Sequence, residues 1–258
     1  MTEPVVVTER VRHTLVARLN RTEARNALNP AVMEALGKIV LEVEGDVDIR
    51  ALVLTGTGDR AFCGGMDLRA FAEGETMAAP DPEAMKAFYR LLDGQVSVPV
   101  IGAAQATAVA GGFELLLGCD LIVVSSEAKL GLPEVKRGLF PAGGGVLLAT
   151  RLPLSIAMEI SLTGDPMTPE RLRDLGLINA VVAPDAVLDT ALAYADRIAA
   201  NGPLGVAAAK ELVRLGVFDA AATLKRRGEL QASVFSSEDA REGATAFVEK
   251  RDPVWKGR

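Results

Sequence analysis

Two glutamates stand in settings that ordinary surface carboxylates lack. Glu114 closes the run Ala108-Val109-Ala110-Gly111-Gly112-Phe113-Glu114, a glycine pair feeding an apolar helix. Glu134 closes Leu130-Gly131-Leu132-Pro133-Glu134, a strand exit stiffened by proline. Apolar neighbours raise the pKa of a carboxyl, so that it can exchange protons near neutral pH. Two such groups converging on one substrate can divide the work of general acid and general base. On its own, Glu134 reads more readily as a helix cap or as the ion-pair partner of Lys136 or Arg137.

Glycine-rich junctions supply the complementary chemistry. In Ala61-Phe62-Cys63-Gly64-Gly65-Met66-Asp67-Leu68-Arg69, two glycines let backbone approach a ligand, and Asp67 favours the first turn of a new helix. The stretch 110–117 repeats that arrangement, glycines and then a helix, so the first amides of each helix are free to meet a negative oxygen. Two such N-termini facing each other would hold the oxyanion of an enolate or tetrahedral intermediate. Pro141-Ala142-Gly143-Gly144-Gly145 reads as a third junction of the phosphate-cradle type, without the Lys-Ser/Thr of a P-loop. Gly56-Thr57-Gly58-Asp59-Arg60-Ala61 matches G-x-G-x-x-A, but Gly64-Gly65 follows too soon for a helix to begin there, which leaves a turn. His13 is the only histidine, no G-x-S-x-G occurs, and Cys63 and Cys119 lack metal spacing. Paired carboxylates with backbone amides are the strongest remaining chemistry, and no metal is expected.

The elements that must position these groups alternate between strand and helix. Residues 5–7 and 13–19 read as two strands around a turn at Glu9-Arg10. Asn29-Pro30 supplies an N-cap and a first-turn proline for a helix carrying Val32, Met33, Leu36, Ile39, Val40 and Val43 at helical spacing. Strands are expected at 51–55, 100–104 and 121–124, and Pro82 opens a second helix with Phe88, Leu91 and Leu92 inward. That succession predicts an α/β core with largely parallel strands. Beyond about residue 150 helices dominate, at 155–163, 169–175 behind Thr168, 186–200 and 203–215, then two more, with one short strand at 178–182. Residues 72–82 read as the most mobile loop.

Composition bounds the rest. The chain has 258 residues, 49% hydrophobic and 24% charged, with a formal net charge of −6, which fits a globular domain with or without an appendage rather than a nucleic-acid binder. Positive charge gathers at the end, in Lys250, Arg251, Lys256 and Arg258, which leaves room for a local anionic ligand. Two cysteines in apolar or glycine-rich sequence fit free thiols of a reducing compartment. With no signal peptide or membrane span legible, cytoplasmic location is the expectation.

Assembled in order, the segments resemble the crotonase (enoyl-CoA hydratase/isomerase) superfamily across nearly the whole chain. The matching pieces run from Asn20-Arg21 through Asn26-Ala27-Leu28-Asn29, 61–68, 110–115, Cys119-Asp120 and Leu132-Pro133-Glu134 to Thr163-Gly164-Asp165, Gly176-Leu177-Ile178 and Phe247-Val248-Glu249-Lys250-Arg251. The resemblance implies a ββα spiral core over 1–195 and a C-terminal helical trimerisation region over 196–258. It implies an acyl-CoA thioester as ligand, no separate cofactor, and a homo-oligomer, either a trimer or a dimer of trimers. It places oxyanion-hole amides at Met66 and Gly111, coenzyme A contacts at Ala24, Met66, Asp67, Leu68 and Lys250, and catalytic carboxyls at Glu114 and Glu134. A basic residue of the tail, Lys250, would meet the phosphates from a neighbouring subunit.

Family hydratases carry glutamate at both positions, so hydration of a trans-2-enoyl-CoA is the expected reaction. A carnitinyl-CoA-dehydratase-like activity, Δ3,Δ2-isomerisation and a non-catalytic CoA-thioester-binding subunit stay open beside it. Met66, Ala110, Leu132 and the 142–146 loop depart from the usual hydratase pattern and bear on the acyl chain more than on coenzyme A.

Overall fold

The computed structural model describes residues 3–72 and 81–258. The loop expected at 72–82 falls on residues outside these, apart from its ends.

In chain order the elements are β1 (Val6–Val11), β2 (Thr14–Leu19), α1 (Pro30–Gly45), β3 (Ala51–Gly56), β4 (Ala61–Cys63), α2 (Leu68–Ala72), α3 (Pro82–Leu92), β5 (Val100–Ala104), β6 (Thr107–Val109), α4 (Gly111–Gly118), β7 (Leu121–Ser125), β8 (Leu130–Gly131), α5 (Leu154–Thr163), α6 (Pro169–Asp174), β9 (Ala180–Val182), α7 (Val187–Ala199), α8 (Pro203–Phe218), α9 (Ala220–Phe235) and α10 (Glu238–Glu249). Local chemistry sets many of the boundaries. Asn29 accepts from the Val32 amide at 3.0 Å to cap α1, Asp81 caps α3, and Thr168 caps α6, each ahead of a first-turn proline.

Among the described residues, six strands form one sheet in the order β1-β2-β3-β5-β7-β9, parallel from β2 onward. The edge strand β1 runs antiparallel to β2, with Val6 opposite Leu19 and Val11 opposite Thr14. The reversal therefore lies at Arg12-His13 and not at Glu9-Arg10, and Arg12 takes a left-handed φ of 54°. An edge strand buries only part of its length, so Glu9 and Arg10 stay extended with their side chains in solvent.

Alternation along the central strands builds two apolar layers. Leu52 and Leu54 face Leu36, Phe88, Leu91 and Leu116, while Val53 with Val16, Ile101 and Val123 faces Val187, Ala191 and Ala195 of α7.

A second, smaller sheet positions the chemistry. Its strands β4, β6 and β8 are two or three residues long and parallel. The chain leaves them at Cys63, Val109 and Gly131, and the residues that follow are Gly64-Gly65-Met66, Ala110-Gly111 and Leu132-Pro133-Glu134. Three carboxyl ends of one parallel sheet thus deliver three of the motifs to one edge, the place where ligands bind in α/β architectures. The G-x-G-x-x-A segment is a turn, as expected, with Gly56 ending β3 and Ala61 opening β4. The helical C-terminal part is also present as α8, α9 and α10.

Candidate active site

Backbone amides form one side of the site. Leu28 donates its N–H to the Gly65 carbonyl at 2.8 Å and accepts from the Asp67 amide at 2.9 Å, forming a parallel bridge to Met66. Bridging through the flanking residues turns the Met66 N–H away from Leu28, and no acceptor meets it among the described residues. Gly65 has a φ of +91°, and a Cβ there would lie 2.6 Å from the Ala110 Cβ and 3.3 Å from the Gly111 nitrogen. A Cβ on Gly111 would in turn lie 3.7 Å from the Met66 nitrogen. The Met66 and Gly111 amides are therefore near neighbours across a gap that only glycine keeps open. Gly111 is the first residue of α4, where an amide has no partner within the helix. Ala110, the residue before it, holds φ 52° and ψ −132°, a conformation that L residues rarely adopt.

The neighbouring strip gathers most of the expected coenzyme contacts. Ala24 ends a short 3-10 turn, and the next carbonyl, of Arg25, accepts from the Gly64 amide at 2.9 Å. Asp67 pairs with Arg21 at 3.0 Å, both side chains 17% exposed, and Leu68 opens α2 with its side chain in solvent. Buried Asn26 fastens the strip by donating to Thr57 and Ala61 carbonyls and accepting from the Arg21 amide. Lys250 is not brought there. It is the C-cap of α10, in the left-handed region, and the following segment is tied at the opposite end of the main sheet. There Trp255 donates to the Ala200 carbonyl and Arg50, beside the start of β3, donates to the Trp255 carbonyl.

The carboxyls form the other side. Glu114 lies in the first turn of α4, and its side chain is 7% exposed. Its Oε1 accepts from the Gly143 amide at 2.7 Å and from the Gly145 amide at 3.0 Å. Burial pushes the Glu114 pKa up, and these two amides oppose the rise. The glycines of 143–145 thus serve a carboxylate of the protein itself, where the sequence suggested a phosphate cradle. A Cβ on Gly143 would lie 3.1 Å from both Glu114 oxygens, so a side chain there would crowd the clamp.

Glu134 follows Pro133 in a 3-10 turn and is partly buried, with Oε2 enclosed and without a hydrogen-bond partner. Its pKa is also raised, first by burial; its own amide opposes the rise, and the nearby charge of Glu114 adds to it. Neither cation next to it in sequence is its ion-pair partner. Lys136 pairs with Asp165 at 2.5 Å, and Arg137 donates to the Pro133 carbonyl. The ion-pair reading of Glu134 is thereby set aside, while its place in the first turn remains and its carboxyl lies close enough to Glu114 to feel that charge. Leu132, fully buried, walls the pair from the side of Gly145.

The arrangement offers one carboxylate held by two amides, a second carboxyl with an unsatisfied oxygen, and two amides free for an oxyanion. A cavity of about 840 Å³, lined by Leu117, Leu148, Arg151 and Val213, lies behind the 144–151 turn. Neither glutamate lines it, so the chemistry and not the size identifies the site. Sequence reasoning missed the Gly143 and Gly145 amides as partners of Glu114, the Arg21–Asp67 pair and the fastening by Asn26. The glycine run itself was visible; its acceptor, 29 residues away in sequence, was not.

Known proteins place this geometry in a family. The profile described as Enoyl-CoA hydratase/isomerase matches residues 11–258. A carnitinyl-CoA dehydratase of Proteus mirabilis is 40% identical over 250 residues, covering 93% of this chain and 94% of the relative. The crystal structure of an enoyl-CoA hydratase from Mycobacterium tuberculosis superposes with a TM-score of 0.90 at 40% identity, over 99% of this chain and all of that one. A carnitinyl-CoA hydratase structure from Mycobacterium avium superposes at 0.78, also 40% identical and covering both chains in full. With a family profile spanning nearly the whole chain, and the same fold in relatives of this identity, the protein belongs to the enoyl-CoA hydratase/isomerase family.

Proposed function

We propose that the protein is a hydro-lyase that adds water reversibly to a trans-2-enoyl-CoA, giving a 3-hydroxyacyl-CoA. The observation that carries this reading is the unequal hydrogen bonding of two adjacent carboxyls. Glu114 has one oxygen held by two amides, which favours the ionised form and leaves Oε2 to take a proton. Glu134 has an enclosed oxygen with no donor beside it, which favours the protonated form. In hydration, Glu114 removes a proton from water as the water oxygen bonds to the β-carbon. Electrons move through the conjugated thioester onto its oxygen, and Glu134 delivers its proton to the α-carbon as the enolate collapses. Dehydration runs the same steps backward with the roles exchanged.

The Met66 and Gly111 amides receive the thioester oxygen as enolate charge develops, each donor contributing about 3–4 kcal/mol to lowering the barrier. Coenzyme A lies along Ala24, Met66, Asp67 and Leu68, and its phosphates meet Lys250 of a neighbouring copy. The C-terminal helices, over 196–258, join copies into a trimer or a dimer of trimers, and the enzyme works in the cytoplasm. The named relatives favour one second reading, dehydration of a carnitinyl thioester, which uses the same two carboxyls.

The test follows loss of the conjugated-thioester absorbance of crotonyl-CoA, with carnitinyl, branched and longer-chain thioesters as a panel. Glu114→Gln and Glu134→Gln are each expected to lower kcat by at least about a hundredfold with KM little changed. Wild-type rates in both variants would rule out the mechanism. Tight binding of thioesters without turnover of any of them would instead identify a binding subunit.

A further inference from the structure

We propose that Arg151 is a positioning residue for Glu114, locking the turn that holds the carboxylate against the helix that carries it. This rests on the reading of Glu114 as the base. The segment containing Gly143 and Gly145 continues as a 3-10 turn, Gly144–Thr150, that ends at Arg151. At one end of this segment the two glycine amides hold the Glu114 carboxylate. At the other, Arg151 Nη1 donates to the carbonyls of Leu117, at 2.7 Å, and Cys119, at 3.3 Å. Leu117 lies one turn beyond Glu114 on α4, and Cys119 is the C-cap of that helix. Helix and turn are thus two short rails joined at both ends. A cation on the last carbonyls of a helix also satisfies acceptors that have no partner within it.

Simple helix capping is the competing account, and a second arginine separates the two. Arg214, from α8, donates to the Gly118 carbonyl at 3.1 Å and to Asp120 at 2.9 Å, so it grips the same end of α4. It is not carried by the segment that bears Gly143 and Gly145. If capping were all that mattered, loss of either guanidinium would act alike on the site. If Arg151 sets the separation of turn and helix, only its loss slackens the amide clamp. A slackened clamp no longer favours the ionised form of Glu114, so the carboxyl titrates at higher pH and misses its productive geometry.

The experiment compares Arg151→Gln, Arg151→Lys and Arg214→Gln. Hydration of crotonyl-CoA and the pH titration of the Glu114 carboxyl, followed by carbon-13 NMR, are measured in each. Arg151→Gln is expected to lower kcat by about ten- to a hundredfold with KM within about twofold. The acidic limb of its kcat profile and the Glu114 titration should both move to higher pH. Arg151→Lys, which keeps charge and one donor, should fall between it and the wild type, and it carries the test if the glutamine variant fails to fold. Arg214→Gln should lose melting temperature while keeping kcat and the Glu114 titration. An unmoved titration in both Arg151 variants, or the same shift in Arg214→Gln, overturns the proposal. The NMR readout needs no turnover, and the wild-type and Glu114→Gln rates judge the hydratase reading separately.

Discussion

Glu114 and Glu134 bring the same side chain into opposite hydrogen-bonding situations, and pH separates them. Both pKa values are raised, chiefly by burial. If Glu114 is the base as proposed, its ionised form is lost at a pH above the ordinary carboxylate range as acidity increases. The kcat of hydration should fall on an acidic limb lying higher than a free glutamate would give, and Glu114→Gln should remove that limb with the activity. Stability follows by linkage. A raised folded-state pKa favours the fold below the unfolded value, and that advantage is lost as pH rises through the folded value. The neutral Glu134→Gln should therefore melt higher than the wild type at pH 7, with the gain shrinking as pH falls toward the ordinary carboxylate value and gone below it. Each kcal/mol of relief reads as roughly 2–4 °C in a chain of this size. Thermal melts from pH 3 to 8 check this, and a gain that grows toward acid would contradict it. The unusual setting of both carboxyls was legible in their apolar neighbours. The unequal donors were not, because Gly143 and Gly145 reach Glu114 only through a tertiary contact.

At the scale of elements, the short parallel sheet and the start of α4 determine how well the amides are aimed. Ala110 occupies a backbone region that costs about 1–3 kcal/mol for a residue with a Cβ, and glycine would relieve it. Glycine also frees the unfolded chain, which returns about 0.4–1 kcal/mol of the gain. Ala110→Gly is thus expected to stabilise the fold by about 0.5–2 kcal/mol, read as a higher urea midpoint at unchanged slope. A lower midpoint would show that the strain is absent. The main sheet and the long helices were readable from alternation, helical spacing and caps, since each spans enough residues to show a period. The strands β4, β6 and β8 are too short for any period. The ββα spiral was implied by family resemblance and not by pattern. The misplaced first turn has a related cause, because the solvent-facing side chains of an edge strand look like loop residues.

The whole molecule leaves apolar surface that a single chain does not cover. Val213, Val217 and Phe218 on α8, Phe235 on α9, and Phe247 and Val248 on α10 are all exposed, Phe247 to 85%. Scattered exposed hydrophobics are ordinary, but a run of them along three successive helices supports the proposed homo-oligomer, for which closed symmetry is the commonest form. The tail behind α10 is fixed and not trailing, since Asp239 accepts from the Lys256 and Gly257 amides and Trp255 is anchored to Ala200. Lys250 therefore cannot swing to the Met66 strip of its own chain without breaking these bonds, so the proposed phosphate contact requires a neighbouring copy. The protein should sediment at three or six times the 27.1 kDa of one chain. Lys250→Ala should raise KM for coenzyme A thioesters about three- to tenfold, the equivalent of losing about 1 kcal/mol of phosphate contact, and leave kcat in place. Mixing decides where the lysine comes from. Glu114→Gln chains are expected to turn over slowly and Lys250→Ala chains to bind weakly, but reassembled together they create sites that take Glu114 from one copy and Lys250 from the other. Such mixtures should regain a component with wild-type KM and wild-type turnover. If Lys250 served its own chain, no mixed site would hold both residues, and no component would combine the low KM with wild-type turnover.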